Sequence, residues 1–421
     1  TVFKFFKLIM HKRVVVFALA LVCCVLATTI VSATIGSAAH RFTMTDVLER
    51  EAALQPSALK ATPEQWFVNL VDHFNPLNAD TYHQRFWINS EFYNVGTAYT
   101  PIFITLCCEG QCSPKWVEQG LAYEWASKTG ALLVAIEHRY YGKSQPTADW
   151  SIENLRYLSM EQALADAAYF IKQQIIPNWN PKQNHPVVTF GGSYGGTMSA
   201  SARHNYPNLI HYAVSGSGVF DPRFELPEFL ESVIDAYEYY GGKECVSNIS
   251  AANQFLWKLL LDSSATDYVM QTMPLCSKPK FSTREHRAFW SLITDSFIQI
   301  VQYNKEGGPG FTVKKMCDMF AAKSSAQDKY EVLAEIHTKY VLGEGNCYRM
   351  LFDEQVEDIG DIKYDASKPE RNMRQWYWQT LTEFGWYQAP TERAADVFGY
   401  SYPIEYFVEL FQNAFDQRFD R

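Results

Sequence analysis

Val187-Val188-Thr189-Phe190-Gly191-Gly192-Ser193-Tyr194-Gly195-Gly196-Thr197-Met198 runs from a β-branched stretch through Gly-x-Ser-x-Gly into small residues able to open a helix. That is the pattern of a nucleophile elbow, a tight strand-to-helix turn that lifts a serine hydroxyl above a sheet. Gly191 and Gly195 suit the turn because a side chain at either place would strike the neighbouring strand or helix. Ser193 is therefore the candidate nucleophile. The amide of Tyr194, first in the new helix, is the candidate donor to a developing oxyanion. The competing reading is an ordinary glycine-rich β-to-α turn.

Outward from the elbow, strands and helices alternate. Pro101–Leu106 and Ala131–Ile136 are nearly unbroken apolar runs, as strands covered on both faces are. Gln84–Asn89 alternates polar and apolar residues, which marks a strand with one face exposed. Trp116–Thr129 reads as a helix, and so does Met160–Ile176, where Ala163, Leu164, Ala167 and Phe170 share one face. Tyr194–His204 is the helix after the elbow, and Ile210–Val214 is one more strand. The alternation predicts a mostly parallel sheet with helices on both sides. After about Pro222 strand patterning fades, and helical segments fill the chain to about Gln375: Phe229–Tyr240, Ala251–Leu261, Arg284–Tyr303 and Ala326–Val341. The expected organisation is a leader at 1–33, a lead-in segment at 34–65 and a sheet core at 66–221. A helical insertion at 222–375 and a return toward the core at 376–421 complete it.

The 421 residues carry 37 basic and 46 acidic side chains, a net charge of −9 that disfavours nucleic acid and anionic membrane surfaces as partners. Lys12 and Arg13 precede the uncharged run Val14–Val31, and Val31-Ser32-Ala33 fits a signal-peptidase site, with Met10 as an initiation site. An uncleaved anchor is the alternative, and it would be the chain's only contact with a membrane. Export agrees with the cysteines. Seven remain after the leader (Cys107, Cys108, Cys112, Cys245, Cys276, Cys317 and Cys347), so one lacks a partner in an oxidising compartment. No zinc-like spacing accompanies them, and neither metal nor organic cofactor is expected. Asn248-Ile249-Ser250 is a glycosylation acceptor, which predicts a solvent-facing loop at Asn248.

These residues resemble the serine peptidases that include lysosomal Pro-X carboxypeptidase, dipeptidyl peptidase II and thymus-specific serine protease. The resemblance rests on the elbow, on Val71–Pro76 with Gln84–Trp87, on Glu137–Gly142, on Leu158–Asp166 and on Gln379–Gly385, all in the family's order. It implies an α/β-hydrolase core with a helical domain inserted after the sixth strand. It further implies exopeptidase cleavage next to proline in a lysosomal or extracellular setting. The expected partners are proline-containing peptides, with a homodimer left open. Residue by residue, it assigns Ser193 as nucleophile and Tyr194 as oxyanion donor, and it places Thr197 beside the proline pocket. Glu109 and Gly110 fall in the turn near substrate, where Cys107 and Cys108 replace small residues. Leu381 and Phe411 stand where relatives carry cysteine, so a lost disulfide partner would account for the odd count.

A serine needs a base, and this fold orders its triad Ser, then Asp or Glu, then His. The resembling family places both partners beyond the Gln379–Gly385 region, so residues 1–421 are expected to be part of a longer product whose last strands lie outside it. His204 is about 16 Å along the helix from Ser193. His211 sits at the far end of the sheet, and His286 and His337 read as surface histidines of the insertion. His138 lies at the carboxyl edge beside Ser193, either as a substitute base or as a hydrogen-bonded structural residue. Two other functions fit parts of the pattern: an esterase or lipase on the same fold, and a non-catalytic exported protein that binds peptides.

Overall fold

A computed structural model describes residues 62–94, 99–280, 282–304, 311–343, 345–368 and 373–417. The leader and nearly all of the lead-in segment lie outside the described residues. Within them, no helix is long and apolar enough to cross a membrane.

Six strands form the main sheet: β1 (Gln65–Leu70), β2 (Thr81–Asn89), β3 (Ile102–Leu106), β4 (Leu132–Ile136), β5 (Val187–Gly192) and β6 (Tyr212–Gly216). Their order is β1-β2-β4-β3-β5-β6. The first two pairings are antiparallel; β4, β3, β5 and β6 run parallel. Every residue of β3 and β4 is buried, as unbroken apolar runs require in a sheet covered on both faces. Helices α1 (Gly120–Thr129), α2 (Met160–Phe170) and α3 (Tyr194–Asn205) supply that cover. This is an α/β-hydrolase core. The helix expected from Trp116 is broken at Gln119, whose extended backbone separates a short turn from α1. β6 is the sheet's edge among the described residues, and Tyr212 there is 65% exposed.

Helix α2 is buried on more than the expected face, because Asp166 also turns inward. Arg139 donates to both Asp166 oxygens, at 2.7 and 2.6 Å, and the Tyr82 hydroxyl and His73 complete the carboxylate's partners. The remaining Arg139 donors go to the carbonyls of Val71, Tyr157 and Leu70. Burial pushes the Asp166 carboxyl up, but Arg139 and His73 outweigh it and hold the group below the usual range. One ion pair thus ties β1, β2, the loop after β4 and α2 together.

Beyond β6 comes a second body, with a core of its own. Helix α4 (Glu228–Leu260) turns at Gly242, where φ is 73°, so the two helices read from the sequence form one broken element. Helices α5 (Thr283–Gln302), α6 (Val313–Ala321), α7 (Ala326–Ile336) and α8 (Phe352–Gly360) pack against it. Disulfides Cys245–Cys317 and Cys276–Cys347 cross this body. Three expectations are corrected here. Asn248 is 5% exposed and lies inside α4, because its helix packs that face inward, so no solvent-facing loop exists there. His286 and His337 are 8% and 1% exposed; the His337 ring contacts the Tyr348 hydroxyl at 2.7 Å, and burial pushes its pKa down to about 3.

The third correction concerns the boundary. After α9 (Met373–Gln379), only the stretch to Phe384 touches the hydrolase core, through Trp376, Trp378 and Phe384. Strand β8 (Gly385–Tyr387) then pairs with β7 (Arg223–Glu225), and α10 (Glu392–Phe398) and α11 (Ile404–Ala414) join the helical body. The chain does not return to the sheet after 376 because Tyr387, Phe398, Tyr406 and Phe411 find their apolar partners among the helices.

Replacing Asp166 by alanine would leave the Arg139 guanidinium buried without its counter-charge. We expect a loss of about 3–5 kcal/mol in denaturant unfolding. A loss near the roughly 0–1 kcal/mol of a surface pair would show that the network holds nothing together.

Candidate active site

Ser193 sits between β5 and α3 with φ 53° and ψ −128°, the strained geometry expected of an elbow serine. Its amide donates to the Gly216 carbonyl on β6 at 2.9 Å, and its carbonyl accepts from Gly196 and Thr197, opening the helix. The glycines are sterically required. A Cβ at Gly191 would lie 1.9 Å from the Gly195 carbonyl oxygen, and one at Gly195 would lie 2.8 Å from the Leu106 oxygen. The serine is partly exposed, whereas Tyr194 behind it is 1% exposed.

The Tyr194 side chain is the pin of the elbow. Its hydroxyl lies 3.1 Å from His138 Nε2 and accepts from Gln379 Nε2 at 2.9 Å, while Gln379 Oε1 accepts from the Tyr141 hydroxyl at 2.6 Å. His138 Nδ1 faces the Arg139 carbonyl at 2.7 Å. That contact places the proton on Nδ1, so Nε2 accepts from Tyr194. Both ring nitrogens are occupied, and burial pushes the pKa of His138 down to about 4. His138 is therefore a structural histidine, and it is not free to serve as a base. His211 accepts from the Val187 amide at the start of β5, His204 lies in the last turn of α3, and His73 belongs to the Asp166 network.

Glu109 and Gly110 lie in the loop that leaves β3, the place from which this fold draws its second oxyanion donor. A disulfide joins Cys107 to Cys112 and closes the loop. The Cys112 amide donates to Glu137 Oε1, and Glu137 is paired with Arg85. Cys108 is the odd thiol, so the unpaired cysteine sits at the elbow and not in the helical body. Its sulfur lies among the amides of Gly195 and Glu109, and burial raises its pKa. Thr197 Oγ1 donates to the Val219 carbonyl at 2.8 Å and accepts from the Val219 amide at 3.0 Å. Its hydroxyl is thus committed to holding the loop after β6. Among the described residues there is no cluster of side chains able to hold a metal ion.

A buried, protonated thiol is a poor nucleophile. Mass spectrometry should find the Cys108 peptide unmodified after native treatment with an alkylating reagent and fully modified after unfolding. Rapid native labelling would contradict the burial of this loop against α3.

Comparison with known proteins follows the same lines. Residues 69–421 match the family described as serine carboxypeptidase S28. The Caenorhabditis elegans protein K12H4.7 is 29% identical over 82% of this chain and 68% of its own length. Mouse thymus-specific serine protease is 28% identical over 78% of this chain and 65% of its own. Human lysosomal Pro-X carboxypeptidase is 28% identical over 62% of this chain and 54% of its own. Among solved structures, the carboxylesterase EstE1 covers 45% of this chain and 58% of its own, at 13% identity and a TM-score of 0.28. The chain spans about two thirds of the length of the curated relatives it matches most fully. The match over 69–421 shows that the chain belongs to the serine carboxypeptidase S28 family.

Proposed function

We propose that this protein is a serine exopeptidase that cleaves peptides next to proline in the secretory pathway, in a lysosomal or extracellular compartment. The observation that carries the reading is the elbow itself: a serine held at φ 53°, partly exposed, with a new helix starting behind it. Ser193 Oγ attacks the scissile carbonyl, and a histidine outside the described residues takes its proton. The Tyr194 amide donates to the oxyanion, joined by an amide of the loop after β3. Collapse of the tetrahedral species expels the amine, protonated by that histidine, and leaves an acyl-serine that water then hydrolyses. Glu109 and Gly110 border the substrate from the disulfide-closed loop, and Thr197 fixes the opposite wall through Val219. The three disulfides suit an oxidising compartment. Preference for proline rests on the relatives, one of which is named for Pro-X cleavage.

A fluorophosphonate probe and a proline-containing peptide test this together. We expect Ser193 to be labelled, and Ser193→Ala to abolish labelling and to lower kcat on the order of 10⁶-fold. Hydrolysis of a simple ester but not of the peptide would favour an esterase. A folded chain inert to the probe would instead be a peptide-binding protein that keeps only the elbow.

A further inference from the structure

The turn that joins the two bodies ends against the elbow through a carboxyl group. Glu383 lies in the π-helical turn Thr380–Phe384, and its two oxygens lie 3.1 and 3.0 Å from the Met160 amide, the first of α2. Glu161 faces it from α2, Gln379 bonds it from the preceding turn, and it acts on the Tyr194 phenol of α3. Glu109 reaches the same phenol from the loop after β3. The charged side chain that bears on Glu383 is thus another carboxylate.

We propose that Glu383 is a positioning residue for the oxyanion donor: in its neutral form it clamps the Thr380–Phe384 turn onto α2 and Tyr194, and its ionisation loosens that clamp. The proposal rests on the reading of Ser193 as nucleophile and Tyr194 as donor. The mechanical link is Gln379, four residues before Glu383, which holds the Tyr194 hydroxyl. A shift of the turn therefore reaches the residue whose amide meets the oxyanion.

Burial pushes the Glu383 carboxyl up to about 7, with Glu161 adding to the rise and the Met160 amide and Gln379 opposing it. A carboxyl whose folded pKa lies above its unfolded value stabilises the fold fully below the unfolded value. That contribution is lost as pH rises through the folded one. Ionisation also adds negative charge close to where the oxyanion would develop, which weakens its stabilisation. The clamp is closed in acidic medium.

Trp386 stacks on Phe384 at 4.7 Å, and Trp376 meets the Tyr194 ring at 5.8 Å, so tryptophan fluorescence reports on this turn. The test follows fluorescence and melting temperature against pH for the full chain, Glu383→Gln and Glu161→Gln. Wild type should show a transition with a midpoint near 7 and a melting temperature that falls through it. Glu383→Gln should lack the transition, and Glu161→Gln should move it to lower pH. Turnover, where measured, should lose kcat and not KM above the midpoint, and Glu383→Gln should abolish that loss. A Glu383→Gln protein with the wild-type midpoint, or a wild type without a transition, overturns the proposal. If Glu383→Gln does not fold, an unmoved midpoint in Glu161→Gln overturns it. Fluorescence and melting need no catalysis, so an inert Ser193 would fail the peptidase reading and leave this test intact.

Discussion

A serine at positive φ stays there only when its surroundings leave the chain no alternative, since such a conformation costs of order 1–3 kcal/mol. Here the constraint comes from both sides of the turn. Gly191 and Gly195 let β5 and α3 approach within contact distance, and the Gly216 carbonyl takes the Ser193 amide. Behind the serine, Tyr194 is fixed by a hydrogen-bonded relay that leaves no polar end of the ring unused. The relay joins three distant stretches: the loop after β4, the elbow, and the helix that leads back from the helical body.

That last stretch is what makes one site out of two bodies. Met373–Gln379 carries polar side chains into the interior, where each finds a backbone or side-chain partner. Arg374 donates to the Trp150 carbonyl on the core side and to Ile359 and Ala414 on the helical side. Gln375 donates to the Tyr140 carbonyl, and Gln379 to Tyr194. Buried polar groups are costly unless satisfied, so these contacts admit little sliding of the helical body over the core. The elbow is positioned by its own strand and also by the body that follows it in the chain.

Much of the core was legible in the sequence because its strands are buried on both faces and its elbow needs glycines at fixed places. β3, β4 and β5 lie where their apolar runs predict, and Ser193 lies where Gly-x-Ser-x-Gly predicts. The helical body was legible as helices but not as an assembly. Helical periodicity tells which face is apolar, and nothing in it tells that Phe398, Tyr406 and Phe411 pack with α4 and not with the sheet. The sequon at Asn248 misled for a related reason: three residues carry no information on which way a helix turns them. The disulfides follow the same logic, since pairing depends on distances that only the folded chain defines. Gln379 and Glu383 gave no signal as site residues, because their partners lie 185 and 223 residues away.

The two oxyanion donors of this fold come from different elements, and here those elements are braced differently. Tyr194 is braced through its side chain by the relay. The loop after β3 is braced covalently, by Cys107–Cys112, and at its far end by the Glu137–Arg85 pair. Cys108 stands between them, its sulfur set among the amides of Gly195 and Glu109. A glycine at 108 would leave that space to the solvent or to loop motion. A buried thiol fills it and ties the loop to α3. The cysteines that replace small residues in this turn therefore exchange flexibility for a fixed separation between the two donors. An oxyanion needs donors fixed before charge develops, because any reorganisation at that moment adds to the barrier.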